Sequence, residues 1–199
     1  MKKSAVVLML VGVVSLFSTT TQAGFVDPAV NPSAAPFTVE FPDSQNQHQW
    51  QFNYGVPQLT LNEKIYSTSS DKVLMNGETD SDPAFTVVKT ITNTSGIDWT
   101  GYILTLSGST IPTFVPGSAG AGGGKFKTVS YPHPAAIVFS GPDAVKQGEL
   151  LTLQFDINVP TTGLFDFTLT QSPVPEPATI ALLGLGSLGL LRSRRRVQC

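Results

Sequence analysis

The chain is poor in the residues that build reactive sites. Among its 199 residues there is one cysteine, Cys199, at the last position. A disulfide framework and thiol chemistry in the body are thereby excluded. Only two histidines occur. His48 sits in a glutamine-rich stretch and His133 lies between Pro132 and Pro134. Neither has a second metal-ligand residue at a spacing that suits zinc. No Gly-x-Ser-x-Gly is present, and no acidic pair stands out from the many that an acidic domain offers. Arginine is confined to positions 192, 194, 195 and 196. Between residues 24 and 173 six lysines face thirteen acidic residues, a net charge of −7 against −2 for the whole chain. An acidic body without arginine is a poor nucleic-acid binder, because phosphate contacts need clustered cations. No amphipathic helical periodicity is visible, and no cofactor is expected.

What is present lies first at the two ends. Lys2 and Lys3 precede an apolar stretch from Ala5 to Phe17, and Thr21-Gln22-Ala23 places small residues where a signal peptidase reads them. Residues 1–23 therefore read as a signal peptide cut between Ala23 and Gly24. At the other end, Val174-Pro175-Glu176-Pro177 is followed by an apolar run from Ala178 to Leu191, then Arg192, Arg194, Arg195 and Arg196. The run of about 14 residues is short for a membrane span, which takes about 20. As a helix it would cover about 21 Å of a hydrocarbon core about 30 Å thick. Snorkelling arginine stems and the residues before it extend its reach, and the arginines hold the tail in the cytoplasm. Gly184-x-Gly186-x-x-Gly189 is no dinucleotide fingerprint, since no strand precedes it and the chain ends soon after. Glycines there suit close helix approach in a membrane.

A prolyl motif, a short apolar segment and a basic stop, in that order, resemble the PEP-CTERM sorting domain of bacterial proteins handled by an exosortase. The resemblance implies cleavage near Pro175-Glu176-Pro177 after transient anchoring in the inner membrane. It implies a destination at the cell surface or in the extracellular matrix of a Gram-negative-type bacterium, in association with exopolysaccharide, biofilm or floc. Signal peptidase and an exosortase-type protease or transpeptidase are the implied partners, together with the membrane before processing.

The body reads as all-β. Gln49 to Tyr54 alternates polar and aromatic residues, the period of a half-buried strand. Further strands are expected at 58–61, 72–75, 85–92, 101–106, 126–131, 136–140, 150–158 and 165–170, separated by turn clusters such as Asn76-Gly77 and Gly141-Pro142-Asp143. Short strands at regular spacing predict a β-sandwich, Ig-like or jelly-roll-like, with a barrel as second choice. The expected division is a signal peptide at 1–23, an N-terminal arm at 24–36, the sandwich at 37–172 and the sorting signal at 173–199. Gly117 to Gly124 reads as a long flexible loop. Two segments resemble recurring pieces of PEP-CTERM ectodomains. One is Thr90 to Tyr102, a strand, a turn and a tryptophan-led strand, and the other is Gly148 to Ile157. That likeness implies export and a sandwich, and brings no active site.

Three local features carry alternatives. Glu78, Asp80 and Asp82 place carboxylates on alternate positions, a lesser calcium candidate beside the plain reading of a solvated turn. Trp50, Tyr54, Trp99 and Tyr102 are candidates for stacking on sugar rings, against core packing, which the sequence favours for Trp50 and Trp99. Asn93-Thr94-Ser95 is a sequon that reads as a turn. The sequence thus points to a non-enzymatic exported surface or matrix protein. A carbohydrate-binding module comes second and a secreted hydrolase third.

Overall fold

The computed structural model describes residues 25–42, 44–81 and 83–176. The expected signal peptidase site (Ala23, Gly24), Asp82, Pro177, the apolar C-terminal segment and Arg192, Arg194, Arg195 and Arg196 lie outside the described residues. Within them no helix occurs; the chain forms strands and turns.

Two sheets stack face to face. One is built from β1 (Thr38–Glu40), β4 (Asp71–Thr79), β12 (Gly163–Pro175), β6 (Trp99–Ser107), β10 (Ala136–Val145) and β9 (Thr128–His133), in that spatial order. The other runs β2 (Gln47–Asn53), β3 (Gln58–Ile65), β5 (Ala84–Asn93), β11 (Leu150–Asn158) and β7 (Thr113–Phe114), and β8 (Gly120–Ala121) also pairs with β11. Every pairing is antiparallel except β3 with β5. The sandwich predicted from alternation is thus the architecture of the body.

Strict alternation decides which residues meet between the sheets. On β5, Phe85, Val87 and Ile91 point inward, and on β11 Leu151, Leu153, Phe155 and Ile157 do the same. They meet Val73 and Met75 of β4, Leu104 of β6, Phe139 of β10 and Phe167 and Leu169 of β12 in one continuous core. Burial of this kind stabilises by roughly 25 cal/mol per Å2 of apolar surface.

Two segments that look loose in the sequence are tied down. The arm enters the core at once: Phe25 is 8% exposed and meets the rings of Phe37, Phe52, Phe85 and Phe165 at 5.2–5.8 Å, all edge-on. Its neighbour Val26 donates its N–H to the Glu78 carbonyl at 3.0 Å. The glycine-rich loop lies along the edge of β11, where Gly122 donates its N–H to the Thr152 carbonyl at 2.7 Å. Gly141 is a glycine for a different reason. A Cβ there would stand 2.5 Å from the Lys125 carbonyl oxygen, so the backbones could not approach.

Candidate functional site

The sorting motif begins inside the sandwich. The sequence division at 172/173 places it after the last strand, but β12 runs on to Pro175. Val174 pairs with Gly101 and Pro175 with Trp99, with a register irregularity between the two. Glu176 then donates its N–H to the Asp98 carbonyl at 3.0 Å. The prolines are tolerated because β12 loses its other neighbour first. Its pairing with β4 ends at Gln171↔Asp71, so beyond that point no described strand pairs with that flank, which can take the missing proline N–H.

The wall under this end is rigid. Trp99 is fully buried and its indole N–H donates to Ser95 Oγ at 3.0 Å. Ser95 Oγ donates to Asn93 Oδ1 at 2.8 Å, and the Asn93 amide donates to the carbonyls of Ile97 at 2.8 Å and Val145 at 2.9 Å. Asn93 is itself fully buried, so the sequon is a turn-building device and its amide is already committed. Gly101 admits the close packing of β6: a Cβ there would sit 2.9 Å from the Phe139 carbonyl oxygen.

The aromatic platform considered from sequence does not form. Trp99 and Tyr102 are both 0% exposed, with Tyr102 donating its hydroxyl to Gln171 Oε1 at 2.8 Å. A sugar cannot stack on rings enclosed between two sheets, which removes both from the candidate set. Tyr54 is half-buried and its hydroxyl accepts the Phe37 N–H at 2.7 Å. Trp50 departs from the core packing favoured for it and is 40% exposed. It lies on β2, the outermost strand of its sheet, which has a neighbouring strand on one side only among the described residues. Phe52, on the same face of β2, does pack, stacked on Phe37 at 4.0 Å.

Of the calcium candidate only Glu78 and Asp80 fall within the described residues, Asp82 lying outside them. Glu78 Oε2 accepts the Ala35 N–H at 2.9 Å and so ties the arm to β4, while Asp80 lies in the turn beyond the strand. Among the described residues no group of three or more His, Cys, Asp or Glu side chains is placed to hold a metal ion.

Sequence reasoning missed a buried polar cluster. His48 Nδ1 lies 3.2 Å from Glu63 Oε1, and its Nε2 lies 3.1 Å from Asp71 Oδ2. Lys89 Nζ lies 2.8 Å from Glu63 Oε2, with both side chains fully buried. Gln171 Nε2 reaches Glu63 Oε1 at 3.2 Å and Asp71 Oδ2 at 3.4 Å. Phe41 stacks flat on the His48 ring at 3.9 Å. Burial on its own would raise the Glu63 carboxyl, but the neighbouring Lys89 charge and the His48 contact outweigh it and hold the pKa below the usual range. Burial opposes a charged His48 as well, yet the bonds to Asp71 and Glu63 raise its pKa. At Asp71 the hydrogen bonds from His48, Asn46 and Ser44 overcome desolvation and pull the carboxyl down to about 2. Burial, followed by the Glu63 and Asp71 charges, pushes the Tyr102 hydroxyl well up. A signal for this cluster existed. Glu63 is in phase with Leu59, Leu61 and Ile65, and Lys89 with Phe85, Val87 and Ile91. A charge at a core-phase position needs a partner.

Residues 173–196 match the PEP-CTERM protein-sorting motif. No curated protein and no solved structure matches the chain. Val174, Pro175 and Glu176, which leave the sandwich along β6, thus open a sorting signal of the exosortase-handled type, and the chain carries a PEP-CTERM sorting motif, which indicates an exported protein.

Proposed function

We propose that this is a non-enzymatic surface or matrix protein whose sandwich is released or transferred at the motif, in a setting of exopolysaccharide and biofilm. The observation that carries the reading is the continuity of β12 with the motif, within a chain whose residues 173–196 match the sorting signal. A protease cleft binds extended chain. With the sandwich folded, the backbone up to Glu176 is engaged on β6, so the chain free to enter a cleft starts there. The mature protein begins near Gly24, one residue before the core ring Phe25, and ends close to Glu176.

Replacing Pro175, Glu176 and Pro177 together by alanine tests this. The fold should persist, since Pro175 pairs only at the open-flanked end of its strand. Sorting should stop, with a longer species accumulating in the membrane as alanine extends the apolar helix outward. Normal processing of the triple variant, or a mature surface form that retains Arg194 to Arg196 by mass spectrometry, would overturn the reading.

The outer surface of the β2–β3–β5 sheet supports polysaccharide contact as a second reading. Gln47, Gln49, Asn62, Lys64, Thr90 and Thr92 line a shallow groove there. Amides and hydroxyls on a flat face suit hydrogen bonding to sugar hydroxyls, in place of the absent ring platform.

A further inference from the structure

Among the described residues, Lys89 Nζ and Glu63 Oε2 have only each other. They lie 2.8 Å apart, both side chains are 0% exposed, and neither atom makes a hydrogen bond. The contact is close yet lacks the directed geometry of a hydrogen bond. An amine this near one carboxyl oxygen is within reach of the carboxyl carbon, and near-attack conformers hold reacting atoms about 3–3.5 Å apart.

The other carboxyl oxygen is served differently. Glu63 Oε1 faces two nitrogen donors, His48 Nδ1 and Gln171 Nε2, each at 3.2 Å. Paired N–H donors aimed at one carbonyl oxygen are the arrangement that stabilises a developing oxyanion. Asp71 Oδ2, 3.1 Å from His48 Nε2, and the flat ring of Phe41 fix the imidazole in place. Three strands and the β2 edge thus converge on one carboxyl group, with an amine on one oxygen and donors on the other. An ion pair that served only to neutralise charge would need no such division of labour.

We propose that Lys89 and Glu63 join in an intramolecular isopeptide bond, formed by the folded domain on itself. A proton passes from Lys89 Nζ to Glu63 Oε2, leaving a neutral amine and a neutral acid. The nitrogen lone pair attacks Cδ, and the negative charge that gathers on Oε1 is held by His48 and Gln171. Collapse re-forms the carbonyl and breaks the Cδ–Oε2 bond. Oε2 takes a second proton from the nitrogen and leaves as water. Ammonium and carboxylate become amide and water, with no oxidant and no co-reactant. The dry interior favours loss of water, and the amide replaces an ion pair whose desolvation is costly. Glu63 and His48 also border the groove beside Gln47 and Gln49, which gives the water a way out.

The bond would staple β3 to β5, the one parallel pairing among the described strands, in which Leu61 registers with Lys89 and Glu63 with Ile91. In a body without cysteine it supplies the covalent cross-link that a disulfide would otherwise give. It does not depend on the sorting reading.

The test is a peptide map of the full chain purified from expressing cells, denatured and digested. The expected result is a branched peptide joining the Glu63 segment to the Lys89 segment, lighter than their sum by one water, with neither linear peptide present. Recovery of both linear peptides, with Lys89 open to amine acylation in the unfolded chain, overturns the proposal. Lys89→Met should lose the branched peptide. His48→Phe keeps the stacked ring and removes the donor. Freshly made His48→Phe protein should be partly unlinked and gain the link with time. Complete linkage as early as in the parent chain would remove His48 from the chemistry.

Discussion

Asp71→Asn gives the sharpest test of the electrostatics of the buried cluster. Asp71 Oδ2 accepts from Asn46 Nδ2 at 2.9 Å and Ser44 Oγ at 3.1 Å and meets His48 Nε2 at 3.1 Å, while Oδ1 accepts the Lys72 N–H at 2.9 Å. Its pKa is lowered from 3.8 to about 2. At about 1.4 kcal/mol per unit this corresponds to roughly 2.5 kcal/mol, which we reduce to about 1–2 kcal/mol because solvent screens the side next to the serine-rich loop. The folded pKa lies below the unfolded one. The contribution is therefore present above about pH 4 and is lost as pH falls through about 2. The variant should be about 1–2 kcal/mol less stable at pH 6, a fall of roughly 2–8 °C in Tm. The gap should close as the pH drops from 4 to 2. Glu63 is the same in both chains, so whatever it contributes largely cancels in the difference. His48 has the opposite sign: its pKa is raised, so its contribution is complete below 6.5 and fades as pH rises through the folded value. Urea unfolding at several pH values, followed by the fluorescence of buried Trp99, measures all of this. A gap between parent and variant that stays constant from pH 6 to pH 2 would refute the account.

Two further outcomes follow from the packing. Trp99→Ala should cost about 3–5 kcal/mol and loosen the segment that pairs with Pro175; limited proteolysis should then cut near residues 172–176 faster, and an unchanged rate would mean that Trp99 does not support the motif. Phe25→Ala should cost about 3 kcal/mol, since the ring meets four others in the core; a shift under about 0.5 kcal/mol in urea unfolding would show that the arm is dispensable.

The sequence by itself determined the layers and the sorting signal. Alternation at period 2 is a local property, so strands such as β5 and β11 could be read from their own residues. The sorting signal is equally local, since Pro175, Glu176 and the residues after them act in chain order. Tertiary structure decided the rest. That Trp99 is enclosed and Trp50 is not follows from strand order: β6 has neighbours on both sides, whereas β2 is an edge. That β12 continues through two prolines depends on where β4 stops, which no residue of β12 encodes. The polar cluster draws on residues from 48 to 171, with Gln171 and Glu63 separated by 108 positions. Glu63 and Lys89 each stand in core phase on their own strands, but nothing local names the partner each will meet. Only the register of β3 against β5, and the closure of β12 over them, turns a glutamate and a lysine inward together, where low dielectric makes each the other's necessary partner.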